Sequence, residues 1–465
     1  MRFGRWLWVW LALAIPASAP AGALPVAVRT FQLANGLTVL MAPDSQATTV
    51  DVAVWYPAGT RYERAGRTGL THLFDGLMFG GSRRYPAGDH RRLLMAEGAT
   101  LNTFTTPDYS CFYENMAPPT LDLALRLEAD RMGYLTITQR TLDAARLGLR
   151  QQRSGGAENS PLGRGLQALF SSGFAGHPYH WPVSGIEADL DHITLQDCLA
   201  YYRDRYAPNG ALLTLVGRFE PNATEAEVRR LFSALPRRGT KAPPAPLLPQ
   251  TAAHRGSGGV EVQVPIVLAG WRTPPDADPD VPALDLVGRI LARSSTSRLS
   301  KNLTGENGVA LIARGDYDRR AAGGLLYALI VARPDADSAE VEDQLVTEVE
   351  KLGTEPVTTA ELDAARRQAE AEVYNAWQTT HGLAQALGNA QMLDGDWGAA
   401  ERRLARLREL TPSDLQQAAA RSLVATRRTL VRMRPMDATS APDASPPTRP
   451  GTPFKRGMVV GKGAR

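Results

Sequence analysis

A segment rich in proline, alanine and glycine divides the chain into two parts that share one order of predicted elements. This segment, residues 236–258, contains Pro243, Pro244, Pro246 and Pro249. Proline at this density keeps a backbone extended and outside regular structure. On each side of it, strand-like segments alternate with amphipathic helices, so the repeat exists in pattern and not in residue identity. The chain is therefore predicted to form two tandem α+β units, residues 24–235 and 259–435, joined by the linker 236–258.

The first unit begins with alternating apolar and polar residues around Asn35-Gly36, which predicts a hairpin over residues 26–41. A second strand is predicted at 50–56, and residues 101–113 have the pattern of one further strand. A helix is predicted from Pro118 to Met132. In the second unit, the 3.6-residue period predicts long helices at 338–352 and 359–377.

The two ends of the chain differ from its body. Arg2 and Arg5 precede a short apolar run and small residues that end at Ala23, which is the pattern of a secretory signal, 1–23, cleaved after Ala23. An uncleaved anchor is the less favoured alternative, and no other stretch has 18 apolar residues, so no stable membrane span is expected after signal removal. We expect a periplasmic or secreted protein. The proline-, serine- and glycine-rich residues 436–465 are expected to be disordered.

Charge and cysteine content exclude some classes of protein. The formal net charge is only +4, and much of the positive charge lies in the signal and in the last seventeen residues. The folded body is therefore close to neutral, and no nucleic-acid partner is expected. Cys111 and Cys198 are the only cysteines. An oxidising compartment permits a bridge between them, and two isolated buried thiols are equally compatible with the sequence.

One predicted helix follows the sequence Gly-Arg-Thr-Gly at residues 66–69 and contains His72, Asp75 and Gly76. Positions 72 and 76 are four apart and lie on the same face of a helix. This stretch resembles the helix that carries the inverted zinc motif His-x-x-Glu-His in the pitrilysin/insulinase-type peptidases. Further similar segments occur in family order at 98–132 and 158–217, so the resemblance covers about residues 30–435.

The resemblance implies a fold of two tandem homologous α/β sandwich domains. In families built from such half-length chains, two subunits close around a peptide, and this chain would supply half of that clamshell. Active relatives hold a zinc ion with two histidines of the motif and a glutamate of a later helix, and the motif glutamate acts as the general base on zinc-bound water.

The zinc positions of this chain depart from that pattern. His72 keeps the first ligand position, but the second ligand position is Gly76, and the third, aligned on residues 158–163, is Gln152. Asp75 replaces the base and has a carboxylate roughly 1 to 1.5 Å further back, a displacement that can cost about 10²-fold in rate. Because a catalytic zinc needs about three protein ligands, we expect no metal, no cofactor and no catalytic residue in this chain.

The resemblance also implies a binding role for one strand. In the family, the strand that matches Leu101, Asn102, Thr103 and Phe104 pairs with extended substrate by strand addition. An ordinary structural strand is the alternative. The leading hypothesis is a non-catalytic, peptide-binding subunit that pairs with an active homologue in a zinc metallopeptidase heterodimer. The alternatives are a peptide-binding or structural scaffold without a proteolytic partner, and a peptidase with an unusual metal site.

Overall fold

The computed structural model describes residues 24–156, 160–238, 244, 246–257 and 262–434. The predicted signal 1–23 and tail 436–465 lie outside the described residues, as does part of the linker. Within them the chain forms two β-sheets with helices packed on both, as the sequence predicts.

The first sheet has six strands in the order β1-β2-β6-β3-β5-β4. Its strands are β1 Arg29–Gln32, β2 Thr38–Pro43, β3 Val50–Tyr56, β4 Thr100–Thr105, β5 Ser110–Met116 and β6 Leu212–Gly217. Apolar residues on the face toward α1 and α3 form the larger core of the molecule. Strand β4 forms one edge of this sheet.

The second sheet has five strands in the order β7-β11-β8-β10-β9. Its strands are β7 His254–Ser257, β8 Ile266–Arg272, β9 Ala310–Asp318, β10 Leu325–Ala332 and β11 Arg428–Met433. The two sheets share a topology. In each, an early strand pairs in parallel with the last strand of its unit (β2 with β6, β7 with β11), and all other neighbours are antiparallel.

The helices of the first half are α1 Leu70–Leu77, α2 Asp89–Ala96, α3 Leu121–Tyr134, α4 Gln139–Gly155, α5 Pro161–Gly173, α6 Glu187–His192, α7 Leu195–Arg205 and α8 Pro221–Phe232. Those of the second half are α9 Val281–Ala292, α10 Arg298–Leu303, α11 Ser338–Glu350, α12 Thr359–Trp377, α13 Thr380–Asp394, α14 Ala399–Glu409 and α15 Pro412–Ser422. The fold is therefore mixed α/β in both halves, with each sheet covered by helices.

The two halves exchange one helix each. Helix α5, which belongs to the first half in sequence, packs on β7, β8 and β11 of the second sheet, and α13 packs on β3 and β6 of the first. The contact of α13 is close, because a Cβ placed at Gly388 would lie only 2.1 Å from the ring of Trp55. Only glycine permits this approach. The exchange joins the two units into one packed body.

Several local expectations differ from the structure. Strand β7, His254–Ser257, forms inside the segment 236–258 that was predicted as linker, because it pairs in parallel with β11. Residues predicted as one strand at 101–113 form two strands, β4 and β5, because the chain reverses at 106–109, where Thr106 N–H donates to the Tyr109 carbonyl (2.8 Å). The connection between β1 and β2 has five residues and not two, although Gly36 does adopt the expected positive φ (91°). Helix α14 was not predicted. Only two of its residues, Leu404 and Leu407, are buried, which leaves a weak apolar stripe.

Two further observations concern the cysteines and membrane insertion. Cys111 and Cys198 are both buried and both free, so the alternative of two isolated thiols describes the structure. None of the helices within the described ranges combines the length and apolar character required to cross a bilayer.

Candidate functional site

The first turn of helix α1 is held by hydrogen bonds to a buried carboxylate. Its N-cap is Gly69 in the left-handed region (φ 84°), so no side chain of the N-cap residue caps the helix. The buried Glu63 carboxylate takes this role, because it accepts hydrogen bonds from the backbone N–H groups of Gly69 (2.9 Å) and Thr71 (2.7 Å). Burial raises the pKa of Glu63 to about 7, although these hydrogen bonds oppose the shift. No local sequence pattern indicates this cap.

His72 and Asp75 face each other one helical turn apart, with Nε2 and Oδ2 at 3.5 Å. The other carboxylate oxygen, Oδ1, accepts hydrogen bonds from the hydroxyls of Thr105 (2.8 Å) and Thr103 (3.3 Å). Burial raises the pKa of Asp75, and His72 and these hydroxyls oppose the rise. The carboxylate is thus held against β4. Sequence reasoning missed Thr105, although its position two residues after Thr103 places both side chains on one strand face.

The three positions that the resemblance aligns with zinc ligands, His72, Gly76 and Gln152, line a single cleft of about 920 Å³, together with Asp75, Asn102 and Thr103. His72 and Gly76 come from α1 and Gln152 from α4, where its side chain is exposed. At Gly76 the helices approach closely, since a Cβ there would lie 3.3 Å from the Cβ of Ala145. The alignment made from sequence therefore brings together residues of two separate helices.

The donor set in this cleft does not fit a catalytic zinc. His72 offers one imidazole, Gly76 offers no side chain, and Gln152 offers a neutral amide in place of a carboxylate. The remaining acid, Asp75, is engaged by two threonine hydroxyls through one oxygen. Since Zn²⁺ in proteins is held by imidazole, thiolate and carboxylate groups, about three at a catalytic site, these residues do not supply zinc-activated water.

Strand β4 borders the cleft and has one unpaired edge, because it pairs only with β5 among the described strands. Hydrogen-bonded pairs alternate along an antiparallel ladder. Counting back from the bonded pair Thr106 and Tyr109, β5 binds the backbone of Phe104 and Asn102. The backbone groups of Leu101 and Thr103 therefore point outward. Of the predicted binding segment, these two residues direct their main-chain groups away from β5.

The side chains of this segment have different roles. Leu101 packs against the core beneath α1, and Phe104 packs against Trp55 on the other face of the sheet (ring centroids 6.0 Å apart). Asn102 is exposed, and its Oδ1 accepts a hydrogen bond from the backbone N–H of Thr103 (2.9 Å). The outward donor of Thr103 is thus occupied by the neighbouring side chain. An Asn side chain that bonds nearby backbone in this way competes with pairing by another strand.

An apolar pocket of about 390 Å³ lies at the β4–β5 turn. It is bordered by Pro107 of the turn, by α5 and by the segment 179–183, with Phe170, Tyr179 and Trp181 as its aromatic residues. Arg320 also borders it, but its guanidinium donates to the Asp318 carboxylate (2.6 Å) and is neutralised there. An extended chain on β4 would lead from the cleft toward this pocket.

A charged cluster is buried behind the cleft. His90, Glu114 and Glu128 place potential ligand atoms within 4.8 Å of one another, and the described residues hold no other group of three His, Cys, Asp or Glu side chains of this kind. Arg131 already provides the cation at this place. Its Nε donates to Glu128 (2.8 Å), and its Nη2 lies 3.4 Å from Glu114. The cluster is a buried ion-pair network that joins α2, β5 and α3.

His90 of this cluster predicts a contribution to stability that is lost in acid, and Glu128 opposes it because burial raises the Glu128 pKa to about 8. Burial and the charge of Arg131 lower the pKa of His90 to about 3, whereas an unfolded histidine titrates near 6.5. Between these values only the unfolded chain binds the proton, so stability decreases as the pH falls. From pH 6.5 to 5 this contribution is about 2 kcal/mol. Urea unfolding at several pH values should show that His90→Asn removes this part of the pH dependence. The exposed His192→Asn serves as control, and equal slopes for both variants would contradict the assignment.

Comparison with known proteins identifies the family and agrees with the two-unit α/β fold. A family model described as Insulinase (Peptidase family M16) matches residues 38–184, and a second, described as Peptidase M16 inactive domain, matches residues 192–369. His72, Asp75, Gly76 and Gln152 all lie in the first match.

Similar chains and structures cover most of the molecule. The zinc protease PqqE of Helicobacter pylori is 25% identical over 348 residues, which are 73% of this chain and 78% of that protein. A crystal structure of a protease from Helicobacter pylori superposes with a TM-score of 0.83 at 24% identity, covering 89% of this chain and all of that one. A peptidase M16 inactive domain from Pseudomonas fluorescens gives a TM-score of 0.76 at 18% identity, covering 89% and 99%. With two M16 models matched in tandem and this fold, the chain belongs to the M16 family, the pitrilysin/insulinase-type peptidases of half-length.

Proposed function

We propose that this chain is a non-catalytic, peptide-binding subunit that pairs with an active homologue to form an exported zinc metallopeptidase. The observation that carries the proposal is the state of the cleft. Its shape and its bordering edge strand are present, whereas Gly76 and Gln152 remove two of three zinc ligands. Such a chain can hold an extended peptide but cannot activate water through zinc.

Binding by strand addition suits this cleft. Main-chain hydrogen bonds from Leu101 and Thr103 would hold a peptide of almost any sequence, because the backbone is common to all peptides. The apolar pocket at the β4–β5 turn would accept one large side chain of that peptide. A subunit with little sequence preference is useful when its partner performs the cleavage.

The absence of two zinc ligands from the cleft also bears on the partner of this chain, and the signal pattern bears on its location. A relative named as a zinc protease indicates the chemistry that an active homologue would supply. The chain lacks that chemistry, so we infer a heterodimer in which this chain closes one side of the chamber. The signal pattern at residues 1–23 supports export to the periplasm or beyond.

The test is the zinc content of purified residues 24–465 after exposure to zinc and desalting. We expect a stoichiometry near zero and no peptidase activity. Co-expression with an intact M16 homologue from the same genome should give a stable complex that cleaves peptides. A stoichiometry near one would overturn the non-catalytic assignment. Peptide binding without a complex would instead favour a scaffold that has no proteolytic partner.

Asn102→Ala is expected to tighten peptide binding. The substitution frees the Thr103 N–H, so an incoming strand no longer displaces the Asn102 amide. One hydrogen bond is worth about 1 kcal/mol, or roughly five-fold in affinity. Fluorescence anisotropy with a labelled, unstructured decapeptide measures the change. The same peptide N-methylated at alternate residues is the control and should not bind, and unchanged affinity of the variant would argue against pairing at this edge.

A further inference from the structure

A second polar cavity, of about 360 Å³, is lined by residues of the second half of the chain, and no residue of β4 lines it. Residues of β9, α9, α12, α13 and α14 surround it. One wall is apolar and combines larger side chains with five alanines of α12, α13 and α14, namely Ala369, Ala376, Ala386, Ala390 and Ala400. These alanines leave the space open. The opposite wall carries charged side chains.

Most of these charges are paired with each other. Arg289 binds both oxygens of Glu372 (2.9 and 2.9 Å) and also donates to Asp285 (3.1 Å). Arg403 bridges two buried acids, with Nη2 at 3.0 Å from Asp276 and 3.1 Å from Asp394. These guanidinium groups therefore have little capacity left for a ligand.

Two arginines that line the cavity are exceptions. Arg293, at the end of α9, reaches Glu372 only at 3.5 Å and Asp316 only at 3.7 Å, and its side chain is 38% exposed. The less exposed exception is Arg319, directly after β9. Its nearest acid oxygen is Oδ1 of Asp276 at 3.7 Å, which is too long for a hydrogen bond, and Asp276 is already bonded to Arg403. Arg319 makes no hydrogen bond to any residue within the described ranges. Its side chain keeps 33% exposure, and it lines the cavity. A guanidinium group with unused donors therefore faces a partly open cavity.

We propose that this cavity binds a small carboxylate that carries an apolar body. A guanidinium fork matches a carboxylate in geometry and can donate two parallel hydrogen bonds to it. The alanine-lined wall would cover the apolar part of the ligand. A phosphate dianion fits less well, because Asp276 lies beside Arg319 and would repel the second charge. The apolar body also distinguishes this ligand from simple anions such as acetate.

Two sources of this chemistry can be separated experimentally. The carboxylate can be a free small acid, or it can be the C-terminus of a peptide whose last residue is apolar. N-acetyl-L-leucine represents the first, and a tetrapeptide ending in leucine represents the second. The tetrapeptide binds only if the cavity admits the preceding residues, so its affinity relative to that of N-acetyl-L-leucine identifies the source.

Isothermal titration calorimetry on residues 24–465 tests the proposal. N-acetyl-L-leucine should bind with one-to-one stoichiometry, and its neutral amide at least ten-fold more weakly. Arg319→Gln should weaken the acid at least ten-fold. Arg314→Gln is the matched control, since Arg314 is exposed on the same strand β9. Should Arg319→Gln fail to fold, Ala376→Leu, which fills the cavity but keeps Arg319, should weaken binding by the same order.

The proposal is overturned if N-acetyl-L-leucine shows no saturable binding at millimolar concentrations. It is also overturned if the acid and the amide bind equally, or if the Arg319 and Arg314 variants bind equally. The cavity is separate from strand β4, so this result does not depend on the peptide-binding test, and neither failure implies the other.

Discussion

Arg131→Met is expected to lower the free energy of unfolding by about 3 to 5 kcal/mol, because it removes the only cation from a buried cluster of acids. Arg131 is 2% exposed and contacts Glu128 through two nitrogens, and Glu114 lies beside it. Methionine preserves the packing between the rings of Phe79 and Phe112, which both lie within about 5 Å of the guanidinium carbon. The loss therefore reports charge and not volume.

A double variant separates these causes. If the cost arises from an unpaired buried carboxylate, Arg131→Met combined with Glu128→Gln should be more stable than Arg131→Met alone. Arg126→Met is the matched control on the same helix, because Arg126 forms an exposed pair with Asp122 and should cost less than about 1 kcal/mol. Urea unfolding of the three variants at pH 7 measures these differences. A double variant that is no more stable than the single one would show that the loss does not come from an ionised Glu128 carboxylate, whose pKa burial already raises to about 8.

The sequence predicts this fold where local signals and tertiary packing agree. Helix α12 was predicted with its observed bounds, because Thr358 and Glu361 cap its start and its apolar residues recur with helical spacing. The repeat of elements around the linker corresponds to a shared sheet topology. The hairpin of β1 and β2 forms in the predicted place, although its connection is longer, because residues 33–37 close the loop through a Leu33 N–H to Leu37 carbonyl hydrogen bond.

Contacts between residues that are far apart in the sequence could not be predicted from local patterns. The exchange of α5 and α13 between the halves depends on surfaces that meet only in the folded chain, such as Trp55 against Gly388. The family pattern was sufficient to place Gln152 beside α1. The hydrogen bond from the Thr105 hydroxyl to Asp75, in contrast, depends on how β4 pairs beside that helix, which the sequence does not show. Motif comparison therefore located the cleft, and only the structure showed which hydrogen bonds occupy it.

Restoring the family residues at three positions is expected to create a zinc site. Asp75→Glu, Gly76→His and Gln152→Glu together would supply a second imidazole and a carboxylate beside His72, in a cleft that already contains all these positions. The stoichiometry of bound zinc should rise from near zero to near one, because three suitable ligands suffice for tight binding. Position 76 accepts a side chain if α4 yields by a few tenths of an ångström at Ala145, and removing a helical glycine favours the helix.

Elemental analysis after zinc exposure and desalting measures this outcome, with circular dichroism to establish that the variant is folded. The matched control adds His72→Ala to the triple variant and should return the stoichiometry to near zero, since two ligands do not hold the ion firmly. A folded triple variant without zinc would show that Gln152 is not the lost third ligand and would require another position on α4. Zinc binding that survives His72→Ala would place the metal elsewhere in the chain. Zinc bound only when His72 is present would establish that this cleft is a former metal centre that has lost its ligands and kept its shape.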